Sequence, residues 1–143
     1  MTRGMTQDAA VLFVNQAFYD AFRARDFETL EALWARRAPV ACIHPGWQAL
    51  DRREDIMESW QAILGNPDSP EIQCRNAAAF VLGEAAFVVC YEVLGDSVLV
   101  ATNVFVQEDG AWKLAHHQAG PCNAPPGLEE EDEADAPGAG RLQ

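Results

Sequence analysis

Positive charge is scarce in this sequence: 10 lysines and arginines stand against 22 aspartates and glutamates, a formal net charge of −12. That balance excludes the basic surface that nucleic acid requires. Long apolar runs are missing as well. Although 49% of the residues are hydrophobic, no stretch approaches the roughly 18 consecutive apolar residues of a membrane span. No apolar segment follows Arg3, so no signal peptide is read and a cytoplasmic location is expected. Cys42, Cys74, Cys90 and Cys122 form no C-x-x-C, and three of them lie in or beside apolar runs. Reduced structural thiols are expected. Glycine-rich phosphate loops, nucleophile elbows and dinucleotide fingerprints do not occur.

What is present reads as one domain of α+β class. At 143 residues the chain is long enough for one hydrophobic core and too short for two. Val11, Val14, Phe18, Ala21 and Phe22 form a helical stripe over residues 8–24, with Thr6 as N-cap. A second helix begins after Asp26, carries Phe27, Leu30, Leu33 and Trp34 on one face, and stops at Pro39. Residues 40–44 form a short strand. Asp51 and Glu54 resemble a capping box opening a third helix with Ile56, Trp60, Ile63 and Leu64 inward. Four strands follow, near 71–81, 85–94, 97–107 and 111–119. Residues 1–7 read as a flexible N-terminus, 8–122 as the folded domain, and 123–143, with six acids between Glu129 and Asp135, as a disordered tail.

Two dipeptides fix the register. Gly95-Asp96 and Asp109-Gly110 are two-residue hairpin signals. The first sets Glu92 opposite Leu99 and Val88 opposite Asn103. The second sets Phe105 opposite Leu114 and Asn103 opposite His116. Directly opposed residues share a face, so Cys90, Glu92, Leu99, Asn103, Phe105, Trp112, Leu114 and His116 face the helices. Phe87, Val89, Val93, Val98, Val100, Val104 and His117 face the other way. An apolar sheet face with no helix left to cover it suggests a second subunit, and a homodimer through that face is expected.

The element order, together with Cys42-Ile43-His44-Pro45-Gly46-Trp47, Asp51-Arg52, Ser59-Trp60, the 101–105 run and Gly110 through His117, resembles the nuclear transport factor 2-like (cystatin-like) superfamily. Within it the chain resembles the small SnoaL-like proteins over about residues 8–122. The resemblance implies a conical, curled antiparallel sheet wrapped around N-terminal helices, in the order α-α-β-α-β-β-β-β. It also implies a largely apolar pocket and dimers through sheet faces. Members include ketosteroid isomerases, polyketide cyclases, dehydratases and non-catalytic association domains. The isomerases' aspartate position falls in Ala41-Cys42-Ile43-His44 and the cyclases' in His116-His117-Gln118-Ala119, so neither aspartate is present. The resemblance therefore carries the fold and the pocket, not the chemistry.

Glu92, Asn103 and His116 are the polar members of the inward face and the candidate catalytic set. A carboxylate and an imidazole in an apolar pocket suit proton transfer, with Asn103 as hydrogen-bond donor to a developing oxyanion. Alternatively, Asn103 and His116 satisfy each other as a cross-strand pair. Tyr19, His44, Trp47, Trp60 and Phe105 are candidate ligand contacts, Tyr19 lying roughly where the isomerases keep an oxyanion-hole tyrosine. Adjacent strand residues diverge, so at most one of His116 and His117 can join His44 and Glu92. That set is too thin for zinc, and neither a metal nor a cofactor is expected. Two functions follow. One is cofactor-free proton-transfer chemistry of isomerase, cyclase or dehydratase type on a small apolar molecule; the other is a non-catalytic binding or association module.

Overall fold

The computed structural model describes residues 6–125, 127 and 128. The acidic run and residues 1–5, expected to be flexible, lie outside these. Helix α1 spans Gln7–Ala24, and Thr6 caps it by accepting from the Ala9 N–H at 3.1 Å. Helix α2 (Phe27–Leu33) is capped by Asp26, which accepts from the Thr29 N–H. It ends well before Pro39, because Trp34 turns extended and bridges Leu114. Helix α3 (Arg53–Gly65) has Arg52 at its N-cap with no side-chain cap, so the Asp51 capping box does not form.

Strands β1 (Ala41–Ile43), β2 (Gln73–Leu82), β3 (Ala85–Leu94), β4 (Ser97–Glu108) and β5 (Ala111–Pro121) form one curled, unclosed sheet in the order β1-β5-β4-β3-β2. Four strands make the expected antiparallel meander. β1 is the exception, pairing parallel to β5 with Ala41 opposite His116 and Cys42 opposite His117. Both hairpins turn as their sequences require: Gly95 has φ 58°, and Asp109 and Gly110 have φ 55° and 79°.

α1 crosses the inner face of the sheet, lying against β2 and also meeting β3 and β5. Phe18, Leu30, Trp34, Phe105 and Leu114 are fully buried between the layers. Each such side chain contributes roughly 1.5–3 kcal/mol relative to exposure. Leu128 is also buried, at the near end of the segment expected to be a tail. Among the described residues no helix is long and apolar enough to cross a membrane.

The β3–β4 register is the expected one along its whole length. β4–β5 departs from expectation at one residue. Phe105 opposes Leu114 as expected, but Val104 opposes His116 and Asn103 opposes His117, leaving Ala115 as a bulge. A one-residue insertion exchanges the two faces for everything beyond it. The expected placement of His116 toward the helices is thus overturned, and so is that of His117 toward the outside. The bulge sits where the chain after α2 docks: the Leu114 carbonyl accepts the Ala35 N–H at 2.8 Å.

Candidate functional site

A cavity of about 270 Å³ lies between α1, α3 and the inner face of the sheet. That is room for about nine water volumes of ~30 Å³ each. Phe18, Phe22, Trp60, Ile63 and Leu99 make most of its wall; Tyr19, His44, Glu92 and His117 supply the polar groups. A larger open groove, of about 920 Å³, runs between α2 and α3. Both of its arginines are already paired, Arg52 with Glu54 at 2.6 Å and Arg53 with Glu31 at 3.8 Å.

Four elements, α1, β3, β4 and β5, converge at the cavity wall. Tyr19, on α1, donates its hydroxyl to Glu92 Oε2 at 2.6 Å. Asn103, on β4, donates through Nδ2 to Asn15 Oδ1 at 2.8 Å and to the Tyr19 oxygen at 3.2 Å. With its amide so oriented, Asn103 Oδ1 faces His117 Nδ1 at 2.6 Å. The carbonyl oxygen can only accept, so His117 carries its proton on Nδ1 and leaves a lone pair on Nε2. Nε2 stands 3.9 Å from Glu92 Oε2.

Burial moves these groups apart. It raises the Glu92 carboxyl above its ordinary value, against a smaller lowering by the Tyr19 hydrogen bond. It lowers His117 to about 3, with smaller contributions from His44 and His116. Tyr19 is raised well above its usual value, first by burial and then by Glu92, and so keeps the proton it donates. The cause throughout is that a charge loses its hydration in this wall.

His44 is held separately. Ser59 donates its hydroxyl to the Ile56 carbonyl at 2.7 Å and accepts from His44 Nε2 at 2.8 Å. The ring lies edge-on to Trp47 and to Trp60, each at 4.7 Å between centroids. Burial lowers His44 to about 4. Trp47 is 48% exposed, at the rim of the cavity.

Of the residues singled out from sequence, Tyr19, His44, Trp47, Trp60 and Glu92 line the cavity together. Asn103 lies behind His117 and positions it rather than reaching the cavity. Phe105 is on the inner face but packed in the core, outside the cavity lining. His116 is turned to the outer face and pairs through Nδ1 with the Ala41 carbonyl at 3.1 Å. His117 takes the cavity position that the regular ladder gives to His116. Asn15 escaped the sequence reading, although a buried asparagine in the apolar stripe of α1, four residues before Tyr19, was a legible signal.

The comparisons with known proteins agree with this architecture. A SnoaL-like domain profile matches residues 11–122. A proposed dehydratase of the NTF2-like family from Streptomyces avermitilis is 32% identical, with a TM-score of 0.72 over 81% of this chain and 96% of its own. A proposed calcium/calmodulin-dependent protein kinase type II association domain from Thiobacillus denitrificans is 29% identical, with a TM-score of 0.65 over 77% and 93%. The F-box protein SKIP8 of Arabidopsis thaliana is 25% identical over 112 residues, 77% of this chain and 48% of SKIP8. The chain thus spans about half the length of that curated relative. Profile match, sheet order and helix placement lead to one conclusion: the chain belongs to the SnoaL-like domain family, within the nuclear transport factor 2-like fold.

Proposed function

We propose that the cavity binds a small, mainly apolar β-hydroxy carbonyl compound and removes water from it without a cofactor, His117 acting as base and Glu92 as acid. One observation carries this reading: the 2.6 Å contact with Asn103 Oδ1 fixes His117 as the Nδ1–H tautomer, with the Nε2 lone pair beside Glu92. Two titratable groups pushed in opposite senses by one environment are a natural acid and base. The imidazole lowered by burial is neutral and can accept; the carboxyl raised by burial can hold a proton to give.

In the step, the C–H bond next to the carbonyl breaks and its proton goes to His117 Nε2. The electron pair forms the carbon–carbon double bond, and the C–O bond breaks. The hydroxide leaves as water with the Glu92 proton. Imidazolium and carboxylate then face each other at 3.9 Å, an attraction that offsets the weak basicity of a buried imidazole. Return of the proton from His117 to Glu92 resets the pair.

The likeness to a proposed dehydratase supports this chemistry. In the same reading, two copies meet through the outer face, where Phe80 is 46% exposed and stacks on Phe87. Val89, Val93, Val98, Val100 and Val104 extend that face half-buried. A second reading is an association module without catalysis. It is favoured by that apolar face and by the likeness to a kinase association domain.

The test uses the aldol of benzaldehyde and acetone, a β-hydroxy ketone that becomes an absorbing enone on losing water. It also uses indanone in deuterated water, whose α-proton exchange needs the base alone. The native protein is expected to accelerate both. His117→Gln should lose about 10²–10⁴-fold in both, the usual range for a positioned base. Glu92→Gln should lose the dehydration and retain much of the exchange. No acceleration of either by the native protein sinks the catalytic reading and leaves the association module.

A further inference from the structure

β2 is an edge strand of the sheet, and Cys74 on it opposes Glu92 on β3. Cys74, Glu92 and Cys90 therefore share the inner face. Cys90 is the diagonal neighbour of Cys74 across the two strands, and interaction between the two thiols raises Cys74 and lowers Cys90. Around them stand the groups that hold the cavity's polar wall. Asn15 Nδ2 donates to Cys74 Sγ at 3.6 Å; the Tyr19 hydroxyl lies 3.5 Å, and Asn103 Nδ2 3.9 Å, from Cys90 Sγ. Cys74 is half-buried, next to the bulge at Asn76 and Ala77 that interrupts the ladder opposite Cys90.

We propose that Cys74 and Cys90 are an oxidation site, closing to a disulfide in the presence of a hydroperoxide, and that closure is felt in the cavity through Tyr19 and Asn103. Cys90 is fully buried, whereas Cys74 is half-buried on the edge strand, so the thiol that meets the peroxide is Cys74. Its sulfur attacks the peroxide: an S–O bond forms, the O–O bond breaks, and the departing oxygen takes the thiol proton to leave as water or alcohol. Cys90 sulfur, its thiol lowered by the interaction with Cys74, then displaces the sulfenic hydroxyl, which leaves as water with the Cys90 proton. Two electrons pass from the two sulfurs to the peroxide.

Closure has a structural consequence. Diagonal neighbours across an antiparallel pair stand about 7–8 Å apart, while a relaxed disulfide spans about 5.5–6 Å between Cα atoms. One strand must shift, and the bulged edge strand β2 is the one free to do so. Cys90 Sγ is drawn toward Cys74 and away from the Tyr19 hydroxyl that holds Glu92. The inference does not depend on what the cavity binds.

The full chain is treated with hydrogen peroxide, quenched with N-ethylmaleimide, digested without reductant and mapped by mass spectrometry. A Cys74–Cys90 linked peptide pair is expected, two hydrogen atoms lighter than the reduced pair and reopened by dithiothreitol. In a ¹⁵N spectrum the side-chain amides of Asn15 and Asn103 should shift on oxidation and return on reduction. In Cys90→Ser, Cys74 should stop at a sulfenic acid that dimedone traps. Maleimide on both thiols after saturating peroxide overturns the proposal. So does a link that joins Cys42 or Cys122 instead, or a link that leaves both amides unmoved.

Discussion

His117 Nδ1 lies 2.6 Å from Asn103 Oδ1, on the adjoining strand and directly opposite in register. Because Asn103 Nδ2 is committed to Asn15 and Tyr19, its carbonyl oxygen is the only end it can offer the imidazole. A single amide orientation thereby ties α1, β4 and β5 together and decides which nitrogen of His117 holds the proton.

Asn103→Leu removes that constraint. His117 Nδ1–H and Asn15 Oδ1 are left buried without partners, and each such group costs about 1–3 kcal/mol. Urea unfolding should show a loss of about 2–6 kcal/mol, the two groups together. The ¹⁵N shifts of His117 should move from one tautomer toward a mixture. A variant as stable as the native chain would mean that the hydrogen bond carries no weight.

The bulge makes a prediction of its own. Deleting Ala115 restores a regular ladder with Val104 still opposite His116 and Asn103 still opposite His117. The deletion variant should fold and keep the His117 tautomer. Insertion of a second alanine beside Ala115 should instead exchange the two histidines or unfold β5. If deletion expels His117 from the cavity, the register argument is wrong.

Acid should destabilise the fold in two windows. His44 and His117 are lowered from an ordinary 6.5 to about 4 and about 3. Below pH 6.5 the unfolded chain binds protons that the folded chain refuses, so this stability is complete above 6.5 and falls away as pH drops through those values. Glu108 accepts from the backbone N–H groups of Arg36, Arg37 and Ala38 at 2.8–3.0 Å. Led by the Arg36 bond, these hold its carboxyl down from 4.5 to about 2. Its contribution is present above 4.5 and lost as pH falls toward 2. Urea midpoints against pH should flatten between 6.5 and 4 in His44→Gln, and between 4.5 and 2 in Glu108→Gln.

Val104→Glu tests the outer face. The native chain should sediment as a dimer and the variant as a monomer, with the far-ultraviolet circular dichroism of both alike. A native monomer contradicts the dimer reading outright.

Much of this was written in local pattern. The stripe from Val11 to Phe22, the caps Thr6 and Asp26, and the two hairpin dipeptides gave helices, strands and one complete strand register, because each depends on neighbours in sequence. The inner position of Glu92 followed from Gly95-Asp96 alone. What stayed hidden depends on distant contacts. α2 ends early because Trp34 bridges to Leu114, eighty residues onward. The Ala115 bulge coincides with Ala35 bonding the Leu114 carbonyl and with β1 pairing in parallel beside His116 and His117. Hairpin arithmetic sees neither, so it exchanged the two histidines. A network through Asn15 required knowing that its side chain on α1 reaches Asn103 on β4.

The state of the His117 ring bears most directly on all of this. A ¹⁵N-resolved histidine spectrum, followed from neutral pH down through the acid range in which the chain stays folded, reads it without any substrate. Expected is a single Nδ1–H tautomer, coupled across to Asn103, that remains uncharged far below the ordinary 6.5 and toward about 3. An Nε2–H ring, or one that gains its proton near 6.5, would contradict a buried lone pair facing Glu92.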